Sequence, residues 1–309
     1  MNKKTLILDT TGVDWTDRHI ASHDGVDVDC IYKTHCLPLR ALRRYHLRSI
    51  LTGKFNWFQN MNNYDTIIIF SDIKSISIFK DIRNNGYQGK LCFYYRDPVS
   101  RKPYRPDDIR MLHANIFLST FDSADAAKYN MFFNPQFFFR ELATQKVDTI
   151  YDAVSISSDR GRLSEIISTK NILDKEGLKS YFFILKDKMK AYPKDLSKKD
   201  IILSNKSLAY EDILTLNQQS RAIVEINAKG QSGLTNRAME ALFLGKKLIT
   251  NNRDIINLDF YHPDNIYIIG RDSGPISNFL DKPYYHNTCK VIDYYDFDSW
   301  LKRIQMNSK

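Results

Sequence analysis

The stretch Glu225-Ile-Asn-Ala-Lys-Gly-Gln-Ser-Gly-Leu-Thr-Asn-Arg-Ala-Met-Glu-Ala-Leu-Phe-Leu-Gly-Lys-Lys-Leu-Ile-Thr-Asn-Asn252 decides how this chain is read. A β-branched run, residues 222–226, leads into it as a strand, and a loop with Gly230 and Gly233 follows. Ala238, Ala241, Leu242 and Gly245, spaced three, four and seven apart, then predict a helix over 233–244 with one small-residue face against a sheet. Residues 247–250 read as the next strand. The glycines let the backbone approach a ligand, and the free amides of a first helical turn carry partial positive charge. Gln231, Ser232, Gly233, Leu234 and Thr235 therefore make a candidate anion site suited to a diphosphate. Arg237 is expected to add charge to the phosphates. Glu240, three residues further on the same face, is expected to accept from both hydroxyls of a ribose. An ordinary strand-helix-strand crossover, with Arg237 and Glu240 as a surface ion pair, uses the same letters.

The alternation of short apolar runs and helical spacing persists through the chain on both sides of this stretch. Strands are predicted over 5–8, 66–70, 90–95 and 115–119, with a helix over 74–84 among them. A Phe-rich stretch, Asn130-Met-Phe-Phe-Asn-Pro-Gln-Phe-Phe-Phe139, interrupts the pattern and a polar segment follows it. The pattern then restarts with a strand over 153–157, a helix over 163–176 stopped by Gly177, and a strand over 181–185. Further strands are expected over 200–203 and 266–269, with helices over 210–219 and 297–304. The reading is α/β, two Rossmann-like doubly wound domains, with 1–147 on the acceptor side and 148–309 binding the donor.

The 309 residues suit two domains, and 43% hydrophobic with 26% charged residues is a globular composition. Cys30, Cys36, Cys92 and Cys289 form no CxxC pair, so reduced thiols are expected and neither disulfides nor structural zinc. The first nine residues hold an apolar run of only three, and nothing approaches a membrane-spanning length, so a cytoplasmic location is expected. A net charge of +9 favours anionic partners, but no nucleic-acid-binding signature is visible.

On the segment Gly230 to Asn252 the chain resembles bacterial glycosyltransferases of the GT-B type that build capsule, exopolysaccharide or lipopolysaccharide O-antigen. Ser158-Asp-Arg-Gly-Arg162, Tyr261-His-Pro-Asp-Asn265, Thr120-Phe-Asp-Ser-Ala-Asp125 and Asn134-Pro-Gln-Phe137 fit the same family, and the resemblance covers roughly 64–270. It implies two domains facing a cleft, with a nucleotide-sugar donor, a UDP-hexose for choice, on the C-terminal side. The implied acceptor is a saccharide or a lipid-diphosphate-linked saccharide. Gly233 to Arg237 would take the diphosphate and Glu240 the ribose, with Arg160 and Arg162 neutralising the departing diphosphate. The two glutamates eight residues apart that many such enzymes carry are not both here, since Ser232 precedes Glu240 at that spacing.

An inverting transfer needs a base beside the acceptor hydroxyl, and Asp14, His19 and Asp97 are the leading candidates, with Asp9 and Asp17 close by. No cofactor or metal is expected. Asp27-Val-Asp29 has the letters of a metal-binding pair but follows polar loop sequence. Arg40, Arg43, Arg44 and Arg48 recur at helical spacing beside Phe55, Trp57 and Phe58, a face that could rest on anionic lipid. Two further readings fit the architecture: a non-catalytic nucleotide-binding partner in polysaccharide assembly, and a nucleotide-sugar epimerase.

Overall fold

A computed structural model describes residues 4–9, 14–31, 56–71, 73, 75–112, 114–143, 147–187, 190–193, 196, 200–227 and 233–308. The chain divides into two compact units, Met1–Pro135 with Phe297–Lys309, and Gln136–Asp296.

In the first unit the β-branched and aromatic runs form β1 (Thr5–Asp9), β2 (Val26–Cys30), β3 (Thr66–Phe70), β4 (Lys90–Tyr95), β5 (Ile116–Thr120) and β6 (Phe132–Phe133). They pair in the order β2-β1-β3-β4-β5-β6, every pair parallel. Ile67 through Phe70 are fully buried, as a parallel strand covered on both faces requires. The sheet reverses direction of growth between β1 and β3, and ligands of such sheets bind outside the carboxyl ends of strands at that point. Asp27-Val-Asp29, following the turn at 21–25, lies within β2, the edge strand. Its alternating aspartates are tolerated there because Asp27 pairs with Lys4 at 3.1 Å and accepts from Tyr64 Oη at 2.8 Å.

The second unit holds β7 (Tyr151–Ser158), β8 (Ser180–Leu185), β9 (Ile201–Ser204), β10 (Ser220–Glu225), β11 (Lys247–Thr250) and β12 (Ile266–Ile268). Their order, β12-β11-β10-β7-β8-β9, is again all parallel. Read from β9, this is the third, second, first, fourth, fifth and sixth strand, the Rossmann order, with the reversal between β7 and β10. Alternation supplies both faces: Ala153, Phe182 and Val224 pack with Ile166 and Leu173 of the helix Leu163–Lys175, while Val154, Ile156 and Phe183 pack on Ile213 and Leu216 of the helix Tyr210–Gln218.

The division expected at residue 147 falls instead at Pro135, and the last helix, Phe297–Asn307, belongs to the first unit. The Phe-rich stretch explains the first difference. Phe138 donates its amide to Tyr295 O at 2.9 Å and its ring meets Phe243 at 5.3 Å, so the stretch from Gln136 onward is core of the second unit. Trp300 explains the other: it is fully buried, 4.9 Å from the Tyr94 ring and 6.3 Å from Phe70. Asn134 fastens this helix with both ends of its amide, donating to Trp300 O at 3.2 Å and accepting from Arg303 Nε at 2.7 Å.

Candidate functional site

The carboxyl ends of β7, β10 and β11 gather most of the predicted donor-side residues. The helix after β10 runs Asn236–Leu244, starting two to three residues later than its apolar spacing suggests. Thr235 sets the start: its hydroxyl accepts from Arg237 N at 3.1 Å and donates to Glu225 at the end of β10, so one side chain caps the helix and ties it to the sheet. Gly245, left-handed at φ 62°, ends it. Gly233 and Leu234 are buried at the approach, Leu234 as an apolar anchor. Gly230, Gln231 and Ser232 lie outside the described residues. Asn236, the first helical residue, accepts from Gln136 Nε2 at 2.8 Å.

Glu225, not singled out by the sequence, is the carboxylate beneath this helix start. It is buried and accepts from Thr235 and from Thr250 Oγ1 at 2.7 Å. Burial pushes its pKa up, against the pull of those two hydroxyls and of Arg162 and Arg237. A glutamate ending an otherwise apolar strand was the available signal.

Two expected ligand contacts are instead internal. Glu240 is fully buried and accepts from Tyr210 Oη at 3.1 Å, from Asn217 Nδ2 at 2.7 Å and from Arg237. Burial raises its pKa, while Arg237 chiefly opposes the rise. Tyr210 and Asn217, both on the helix Tyr210–Gln218, hold this carboxylate inside the unit. Arg237 also donates Nε to Ile156 O at 3.2 Å, so its guanidinium lies between β7 and Glu240. Arg162 is likewise committed to main chain, donating to Ser158 O at 2.6 Å, to Asp159 O at 3.3 Å and to Ile226 O. It staples β7 to β10 where the two strands part.

Arg160 differs. It is exposed, at the tip of the turn after β7, and sits in the left-handed region at φ 42°, followed by Gly161 at φ 79°. A buried support holds this turn: Asp159 accepts from Gly161 N at 3.1 Å and Tyr192 Oη at 2.6 Å, and pairs with Lys190 at 2.7 Å. Burial works against the Asp159 carboxylate, but the bonds from Lys190 and Tyr192 prevail and hold its pKa below the ordinary value. Asn251 closes the neighbouring strand ends: its side chain accepts from Asn227 N at 2.7 Å and donates to Asn227 O at 3.1 Å. In the Tyr261-His-Pro-Asp-Asn265 motif the residues are structural, with Asn265 clamping the main chain of Tyr285 at 2.8 and 2.7 Å and His262 stacked on the Tyr285 ring.

In the first unit, β1 and the turn after it carry the acid candidates. Asp14 caps the helix Trp15–Ile20 and exchanges main-chain bonds with Asp17, at 2.9 and 3.2 Å. Asp17 is buried, and its Oδ1 has no hydrogen-bond partner among the described residues. Burial, with the charges of Asp14 and Asp9, raises its pKa to about 6. Asp9 is buried against Arg96 at 3.0 Å, and Arg96 covers the Phe70 ring. Asp97 is committed to Lys102 at 2.6 Å. His19 lies edge-on to Trp15. So Asp14 and Asp17 form one couple, whereas His19 and Asp97 stand outside it. The arginines at 40, 43, 44 and 48 and Phe55 lie outside the described residues. Trp57 and Phe58 are buried in the first core, which removes them from any lipid-facing surface. No described helix is long and apolar enough to cross a membrane.

The sequence matches no protein-family model and no curated protein. Solved structures do share its architecture from end to end. HepE of Anabaena, in complex with UDP and glucose, is similar at a TM-score of 0.65 and 12% identity, with 99% of each chain covered. AviGT4, a glycosyltransferase involved in avilamycin A biosynthesis, is similar at 0.60 and 9%, covering 99% of this chain and 97% of that one. The lipopolysaccharide outer core galactosyltransferase WaaB in its apo form is similar at 0.53 and 12%, covering 99% and 98%. At such identities the likeness is one of fold: two Rossmann-like doubly wound domains in one chain, the GT-B class.

Proposed function

We propose that the protein is a glycosyltransferase that moves a sugar, for choice a UDP-linked hexose, to a saccharide or lipid-linked saccharide acceptor in surface polysaccharide synthesis, without a metal. The observation that carries the donor half is the juxtaposition, at the switch point of a Rossmann-ordered sheet, of a capped nine-residue helix start and the exposed Arg160 on a braced turn. The helix start offers amide donors and partial positive charge, and Arg160 a full one. Together they suit a diphosphate leaving group, whose developing charge they would stabilise. Arg162, Glu225, Arg237 and Glu240 act one layer behind, fixing the strand ends and the helix. Full-length similarity in fold to HepE, whose structure holds UDP and glucose, supports the choice of donor.

On the acceptor side we place the base at Asp14, the half-buried member of the pair with Asp17 at the first unit's own switch point. It would take the proton of the acceptor hydroxyl as the glycosidic bond forms and the diphosphate leaves. Asp14→Asn keeps the helix cap while abolishing the base, so the variant separates the two roles. The test is product analysis by mass spectrometry with UDP-glucose, UDP-galactose and UDP-N-acetylglucosamine, with and without lipid-diphosphate-linked and free saccharides. Acceptor-dependent transfer, lost in Asp14→Asn, is the expected result. An epimerised donor formed without acceptor, or binding with no turnover, would replace the reading with an epimerase or a non-catalytic partner.

A further inference from the structure

We propose that the Asn227 carboxamide reads a neutral hydroxyl of the bound sugar nucleotide, a recognition role that rests on the donor-site reading above. Asn227 follows β10, at the switch point. Its side chain is only 7% exposed, yet among the described residues neither Nδ2 nor Oδ1 has a hydrogen-bond partner. A buried amide with both ends unmatched is costly and calls for an explanation. The neighbouring asparagines show how such groups are ordinarily settled here. Asn251 spends both amide atoms on the main chain of Asn227 and Asn265 spends both on Tyr285, while Asn217 settles one end, giving its Nδ2 to Glu240.

Two features aim the group at the helix start. Side chains alternate along an extended chain, so Asn227, two residues beyond Glu225, projects to the same face. Glu225 on that face is bonded to Thr235, the helix cap. The Asn251 clamp meanwhile holds the Asn227 backbone at both N–H and O, so the side chain is presented from a fixed point.

The chemistry of the amide narrows what it takes. Two N–H donors and one carbonyl acceptor are complementary to a hydroxyl, which both gives and accepts a hydrogen bond. A phosphate offers only acceptors and would set its lone pairs against Oδ1. Hydroxyls of this kind exist on the ribose and on the transferred sugar, and the two sources are separable.

The experiment is calorimetric titration of the full chain and of Asn227→Ala and Asn227→Leu with UDP and UDP-glucose, and with GDP and GDP-mannose as a second pair, beside thermal melts. Asn227→Leu replaces an unmatched amide by an apolar group of similar shape, so it is expected to melt at or above the temperature of the parent. Binding of the preferred pair is expected to weaken about tenfold or more, the order expected when one hydrogen bond to a buried polar group is lost. Loss confined to the sugar-linked form identifies the sugar hydroxyl, and equal loss with the free diphosphate identifies the ribose. Both variants binding within twofold of the parent would overturn the proposal while leaving the donor site standing. A parent protein that binds neither pair would overturn the donor-site reading itself.

Discussion

Removing the Glu240 side chain should unfold the second unit more readily without removing a ligand contact. Glu240→Ala takes the counter-charge from Arg237 and the acceptor from Tyr210 Oη and Asn217 Nδ2, all inside the protein. Breaking a buried ion pair by deleting one partner costs roughly 3–5 kcal/mol. For a unit of this size, each kcal/mol moves the melting temperature by about 2–4 °C, so a fall on the order of 10 °C follows. Glu240→Gln keeps the shape and some acceptor capacity but not the charge, and should fall between the two. Circular dichroism melts at pH 7.5, followed by UDP titration at 10 °C where the variants remain folded, measure both effects. A much lower melting temperature with UDP affinity kept within about threefold is the expected pair of results. A melt within about 2 °C of the parent together with collapsed UDP affinity would refute the reasoning and return Glu240 to the ribose.

Three other expectations follow from the same geometry. The raised pKa of Asp17, about 6 against 3.8, means that the folded state binds a proton there more tightly than the unfolded chain. Its ionisation therefore destabilises the fold as pH rises from about 4 through 6, and the whole penalty, ~2–3 kcal/mol at ~1.4 per pKa unit, is present at pH 7.5. Asp17→Asn should be the more stable protein at pH 7.5, with its advantage in urea unfolding shrinking as the pH is lowered through 6 toward 4; an advantage independent of pH would contradict the assignment. Thr235→Ala should cost about 1 kcal/mol for the lost cap and more for the unmatched Glu225, and Thr235→Ser should restore most of it, both read from chemical denaturation. Trp300→Ala should cost about 3–5 kcal/mol and melt the first unit, since the ring is buried between Tyr94 and Phe70; far-ultraviolet circular dichroism follows it, and an unchanged melt would show that the returning helix is dispensable.

The central strands were legible because a parallel strand covered on both faces must be continuously apolar, as Ile67 to Phe70 and Phe182 to Ile184 are. β2 escaped because an edge strand can carry Asp27 and Asp29, and β6 because two residues set no period. The helix start was misplaced although Thr235 is a favoured cap residue, since the glycines drew the boundary toward themselves. The domain division depended on which core Phe138 and Trp300 enter, a long-range choice that no local pattern encodes. At the site, residue type and spacing located the right strand ends but not the direction of the side chains. Arg160 and Arg162 are two residues apart, yet one guanidinium faces solvent and the other binds three carbonyl oxygens. An arginine satisfies main chain as readily as phosphate, so only the fold tells them apart.

The most direct test of the donor site is calorimetric titration with UDP, GDP, CDP and dTDP of the parent protein and of Arg160→Ala, whose exposed side chain makes no hydrogen bond or ion pair among the described residues. Selective binding of one diphosphate, weakened about tenfold or more in Arg160→Ala at an unchanged melting temperature, is the predicted result. Absence of binding to all four, or affinity untouched by the loss of Arg160, would contradict the account.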